Sequence, residues 1–152
     1  MTLYKFLLFI HIFSAIIGMG PGLVMTFVVT HSKPSNMTEL RHAFKIRNLL
    51  HILTMIGGSL LLLTGIGMGF LHNYWFTQGW YITSLILFLI ALAFGPYLLK
   101  PRSVPIKKLL SAYTGEKIPK EYYQLSKKLF HVEHVENIIF IIIIALMILK
   151  PF

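Results

Sequence analysis

His131-Val-Glu133-His134-Val-Glu136-Asn137 places two imidazoles, two carboxylates and an amide directly before the apolar run Ile138 to Leu149. That run of 12 residues covers only about 18 Å at 1.5 Å per residue, against roughly 30 Å of hydrocarbon. Spanning the remainder draws the helix back to about Phe130 and pushes the polar side chains into the inner leaflet. Ionisable groups at that depth are costly and usually face a bundle interior, a partner or a cofactor. The bland alternative is that the helix begins later, the bilayer thins and these groups snorkel to water.

His51 lies one turn inside Arg47 in an earlier apolar run. Counting from the midpoint of each span, His51 falls about 12 Å below the midplane, His134 about 9 Å and His131 about 13 Å. Level imidazoles on neighbouring helices can hold a haem iron or a metal. His51 and His134 are therefore the axial candidates for haem b, with His131 as the alternate. Thr54, Met55 and Gly58 would line the slot, and Arg47 and Lys127 would meet the propionates. A divalent metal is the alternative ligand, held by His51, His131, His134, Glu133 and Glu136; the His51/Met55 pair, four apart, would suit copper. His11 lies roughly 8 Å above the midplane and has no obvious partner at its own depth.

Small residues accompany both inward histidines. His11, Ser14, Ala15, Gly18 and Gly22 share one helical stripe, as do His51, Thr54, Met55, Gly58, Gly65 and Gly69. Such stripes admit a neighbouring helix or a flat macrocycle. Packing alone explains either stripe, while a histidine on each adds weight to a cofactor. Self-association through Gly65-x-x-x-Gly69 or Ser14-x-x-x-Gly18-x-x-x-Gly22 is a further expectation. Pro21, between two glycines, should kink or break the first span.

The elements that position these groups follow from composition. The chain has 152 residues, 56% hydrophobic and 12% charged, with mean hydropathy +0.73, whereas soluble domains are about 25% charged. A soluble domain of this size could not hide so much apolar surface. The expected fold is all-α: a single integral membrane four-helix bundle over residues 1–152, with spans at about 3–30, 47–71, 80–99 and 130–150. The first run is too long for a signal-peptide core and no small-x-small cleavage site follows it, so it reads as a retained helix. There is no cysteine, which excludes disulfides, thiolate catalysis and Cys-ligated metals.

Twelve of the 14 Lys and Arg residues fall in the loops after spans one and three. The positive-inside rule puts both loops in the cytoplasm and both termini outside. The placement of these charges between spans speaks for topology and against nucleic-acid binding. Trp75, Trp80, Tyr74 and Tyr81 are expected as an aromatic belt at the outer interface. Between spans three and four, Ser103-Val-Pro105 reads as a helix start and Gly115 as its stop. Ile106, Leu109, Leu110 and Tyr113 form one apolar face, as in a basic amphipathic helix on an anionic leaflet.

Phe9-Ile-His11-Ile-Phe-Ser-Ala-Ile-Ile-Gly18-Met-Gly20-Pro21-Gly22 resembles the first helix of the DUF2269 group of small bacterial membrane proteins. The basic lead into span two (Arg47 to His51), its Gly-rich exit and Trp80 opening span three fit the same group. CopD-type copper-resistance and HemJ-type proteins are more distantly similar. The resemblance implies a bacterial cytoplasmic-membrane, multi-pass protein, and His11 matches the family-type first-helix histidine. The HemJ-type lysine of the third span has no counterpart between Ile82 and Leu99, which argues against porphyrinogen oxidase activity.

The expected function is haem b binding, in electron transfer or haem and porphyrin chemistry. Two alternatives stand beside it: transport of, or resistance to, a metal ion or small solute, and a cofactor-free assembly partner of a larger membrane complex. Besides the lipid bilayer, expected partners are a second copy or that larger complex. No nucleophile–base pair, phosphate-cradling loop or nucleotide site is evident.

Overall fold

A computed structural model describes residues 2–152. Among the described residues there are five α-helices: α1 (Leu3–His31), α2 (Met37–Leu71), α3 (Gly79–Phe94), α4 (Lys100–Ala112) and α5 (Lys120–Leu149). Four helical segments are long and apolar enough to cross a membrane, with α3 and α4 counting as one. α1 opens with the Thr2 hydroxyl accepting from the Lys5 N–H at 3.4 Å. α2 opens at Asn36, whose side chain accepts from the Glu39 N–H at 2.9 Å. The Glu39 carboxylate reaches back to the Ser35 N–H at 2.7 Å and hydroxyl at 2.9 Å, so orphan donors on both sides of the cap are satisfied.

The helices run past the expected spans. α2 has 35 residues and α5 has 30, or about 52 and 45 Å at 1.5 Å per residue. Their early turns extend beyond an apolar slab of roughly 30 Å. There the end of α1, the start of α2, α4 and the start of α5 enclose an apolar core that includes Met37, Leu40, Phe44, Ile106, Leu110 and Leu129. The basic loops are therefore a folded layer whose apolar side chains meet each other. α4 buries Ile106 and Leu110 in that layer.

Lys100-Pro101 does not close the third span. α3 passes through a π-helical turn, Gly95–Leu99, directly into α4. Pro96 lacks an N–H and its ring crowds the carbonyl four residues back, so a wider turn relieves the clash that would otherwise break the helix. Pro101 follows as the second residue of α4, and within this continuous run its missing N–H leaves the Tyr97 carbonyl without its usual helical donor. The helix thus starts at Lys100, with Pro105 inside it, and ends at Ala112. It needs no start at Ser103, whose hydroxyl donates to the Lys100 carbonyl at 3.2 Å, and it stops short of Gly115. α1 likewise continues unbroken through Pro21.

α1 packs along α2, and α3 along α5. A Cβ on Gly18 would lie 2.8 Å from the Gly57 carbonyl carbon, so the two backbones nearly touch. Gly22 faces the Phe140 ring and Thr54, Gly65 faces the His11 ring, and Gly69 faces Tyr81. The small-residue stripes are therefore filled from within the chain. Self-association through Gly65 and Gly69, or through Ser14, Gly18 and Gly22, has no open face to use.

At the opposite end, the short 3₁₀ turn Asn73–Thr77 gathers aromatic rings. Trp75, Trp80 and Tyr81 are buried together with Met68, while Tyr74 is exposed. The aromatic belt expected at the outer interface is thus mostly a core, since edge-to-face ring pairs satisfy these side chains internally. Both ends of the chain join it. Tyr4 meets His72 at 4.8 Å between ring centroids, and the Trp80 N–H donates to the Phe152 carbonyl at 2.9 Å. The Lys150 ammonium sits 5.0 Å from the Trp80 ring centroid. Lys150→Ala should cost about 0.5–1 kcal/mol, seen as a lower midpoint in thermal unfolding followed by tryptophan fluorescence.

Candidate functional site

The membrane-facing part of α5 is polar on two faces at once. Residues advance about 100° each, so Glu133 and Glu136 share a side that His131 and His134 cannot. The structure turns the carboxylates inward: Glu133 is 0% and Glu136 5% exposed. His131 and His134 are exposed, and His134 Nδ1 bonds the Phe130 carbonyl of its own helix.

Glu133 is the hub of the site. One carboxylate oxygen pairs with the Arg47 guanidinium from α2, and the other accepts from the Thr26 hydroxyl of α1. Three helices are thereby tied at one level. Arg47 is itself 2% exposed and lies 5.8 Å from the Phe44 ring centroid. Taking either charge into an apolar interior alone would be costly, so each requires the other. Thr26→Val removes one of the two bonds to Glu133 and should cost about 1–3 kcal/mol, measurable as a shift in the detergent- or urea-unfolding midpoint.

One turn deeper stands a second pair of polar groups that do not neutralise each other. His51 follows Arg47 by four residues on α2, and Glu136 follows Glu133 by three on α5. Both line a small cavity of about 60 Å³, together with Thr54, Gly58, Phe88 and Phe140. Leu92, Gly95 and Leu99 close another side, and the missing Pro96 N–H leaves the Leu92 carbonyl without its usual helical donor. His51 Nδ1 and Glu136 Oε2 have no hydrogen-bond partner. Buried polar groups are almost always partnered, by ordered water if nothing else. A space of about 60 Å³ has room for water or a small ion.

The expected cofactor set is therefore divided. His51, Thr54, Met55 and Gly58 line the cavity, although Met55 is largely exposed. Arg47 is engaged by Glu133 and is not free for a propionate. Lys127, His131 and His134 are exposed and do not line the cavity. Ligand pockets run from about 300 to 1,000 Å³, far above this one. In a single chain, the residues present do not fit a haem b held by His51 and either α5 histidine. Among the described residues, no group of three or more His, Cys, Asp or Glu side chains converges as a metal site. The metal set of His51, His131, His134, Glu133 and Glu136 is split between two faces of α5 by the same angular step.

His11 sits in the other half of the bundle. Its Nδ1 lies 2.9 Å from the Thr64 hydroxyl, and its ring packs against Gly65. Its partner is thus a threonine of α2 at its own depth. Thr26 and the pairing of Arg47 with Glu133 are the parts of the site that the sequence reading lacks. The signal for the pairing is charge balance: a buried arginine and a buried carboxylate at similar depth on separate spans should meet.

The sequence matches the family described as a predicted integral membrane protein (DUF2269) over residues 5–151. No curated protein and no solved structure matches it.

Proposed function

The chain belongs to the DUF2269 family of predicted integral membrane proteins, and on that premise we propose that it is a small-cation transport protein, with the proton as the ion its site fits best. The observation that carries this reading is the unequal treatment of two buried carboxylates. Glu133 is neutralised by Arg47, whereas Glu136 has no cationic partner and presents an unpaired oxygen beside a cavity shared with His51. Intramembrane carboxylate and histidine chains are what proton and ion pathways are built from. The cavity's size favours a proton on water, or a small ion, over an organic solute.

On this reading the Glu136 carboxylate of α5 accepts the ion, His51 of α2 exchanges it across the shared cavity, and Arg47 keeps Glu133 from competing. We place the protein in the bacterial cytoplasmic membrane with its basic end inward, as the distribution of Lys and Arg supports. The test uses the whole chain in lipid vesicles loaded with a pH-sensitive dye, under an imposed potassium diffusion potential. Proton flux above that of protein-free vesicles is expected, with Glu136→Gln returning it to the protein-free rate and His51→Ala slowing it. Wild-type flux no faster than empty vesicles, or a Glu136→Gln protein as fast as wild type, would contradict the proposal.

A further inference from the structure

A second concavity opens on the outside of the folded basic layer, away from the Glu136 cavity. It is a groove of about 420 Å³ between α2 and α4. Its α2 wall is Phe44 together with Arg41, Lys45, Asn48, Leu49 and Ile52, the last five following i, i+4, i+7, i+8 and i+11 spacing and so forming one stripe. The stripe changes character along its length. Arg41 and Lys45 make its outer end cationic, and Lys107 of α4 faces them across the groove. Leu49 and Ile52 make the inner end apolar and remain exposed, at 57% and 52%. From Arg41 to Ile52 the wall descends about 16 Å, the distance from a headgroup region into the acyl layer.

The cationic end is uncompensated. No carboxylate lines the groove, and the one ion pair among the described residues is Arg47 with Glu133. Arg41 is held in place by donating to the Leu110 carbonyl at 2.8 Å and to the Tyr113 carbonyl, so it fixes the mouth of the groove against the end of α4. Basic pockets between membrane helices near the headgroup level suit anionic lipids.

We propose that this groove is a binding site for one anionic phospholipid, with the phosphate held by Lys45 and Lys107 and an acyl chain laid along Leu49 and Ile52. Both halves of the groove are then used, the cationic end by the headgroup and the apolar end by the tail. A free phosphate would leave Leu49 and Ile52 without a role. The lipid would also brace α4 against α2, which meet at this groove.

The test is native mass spectrometry and thermal unfolding of the full chain, supplied with phosphatidylglycerol, phosphatidylcholine or inorganic phosphate. Retention of phosphatidylglycerol and a raised unfolding midpoint with that lipid alone are expected. The Lys45→Gln/Lys107→Gln protein should lose both effects and behave with phosphatidylglycerol as wild type does with phosphatidylcholine. Lys117→Gln/Lys120→Gln, which removes the same charge elsewhere at the basic end, should keep both. Equal stabilisation by phosphatidylcholine, equal stabilisation by phosphate, or equal loss in the Lys117/Lys120 control would each overturn the proposal. Because these readouts involve no ion flux, they stand or fall apart from the transport reading.

Discussion

Glu133→Ala and Arg47→Ala should each lower the unfolding free energy by about 3–5 kcal/mol, the usual effect of leaving one member of a buried ion pair alone. Arg47 and Glu133 are 2% and 0% exposed, so water cannot replace the missing partner. Glu133 has the further bond from Thr26, which stabilises its charged form but supplies no countercharge. The double variant Arg47→Met/Glu133→Leu removes both charges while filling similar volume. It should recover most of the loss, because well-packed apolar residues often match a buried pair or exceed it. Unfolding of wild type, Arg47→Met, Glu133→Leu and the Arg47→Met/Glu133→Leu double variant in mixed micelles forms a double-mutant cycle and gives the coupling directly. Additive single effects would mean that the two side chains do not meet.

Gly57→Val should be the most damaging single substitution in the apolar part of the bundle. A Cβ at Gly57 would run into the backbone of Ile17 and Gly18, and backbone cannot move aside as a side-chain tip does. Overpacking typically costs about 1–3 kcal/mol. Here the collision is between two spans rather than two side chains, so the upper end of that range or outright failure to assemble is expected. Gly67→Val, where an added Cβ would meet only the tip of the Leu7 side chain of α1 at 3.6 Å, is the matched control on the same helix pair. Yield of monodisperse protein and the thermal unfolding midpoint separate the two. Equal behaviour of Gly57→Val and Gly67→Val would mean that α1 and α2 do not approach closely at Gly57.

The four spans are legible because hydropathy over some twenty residues depends only on bilayer thickness. Helix ends are less so. The start of α2 at Met37 rests on the Asn36 and Glu39 cap, and its first turns are stabilised by burial of Leu40 and Phe44 against α4 and α5, a tertiary effect. The continuation of α3 into α4 hides behind Lys100-Pro101, which reads as a stop unless Pro96 is allowed a wider turn. At the site, the depth of the α5 polar cluster is readable from the shortness of Ile138 to Leu149, but its facing is not settled by depth. Glu133 and His134 are neighbours in sequence and about 100° apart around the helix. Arg47, with the only buried guanidinium among the described residues, decides which of them turns inward. The glycine stripes show where spans approach closely, yet Gly57, the residue that touches Gly18, belongs to neither stripe until both helices are placed.

The account rests on Glu136 and His51 facing a space that water and small ions enter from within the membrane-spanning bundle. The chain has no cysteine, so a single thiol can be placed at Thr54, which lines that space, without removing any other. Thr54→Cys and the lipid-facing Leu63→Cys, exposed at 66%, can be compared in native membranes with a small cationic thiol reagent, which reacts only with a hydrated thiolate. Modification at position 54 and none at position 63 is the predicted result; a Thr54→Cys thiol as inert as that at position 63 would contradict a hydrated cavity and the transport reading built on it.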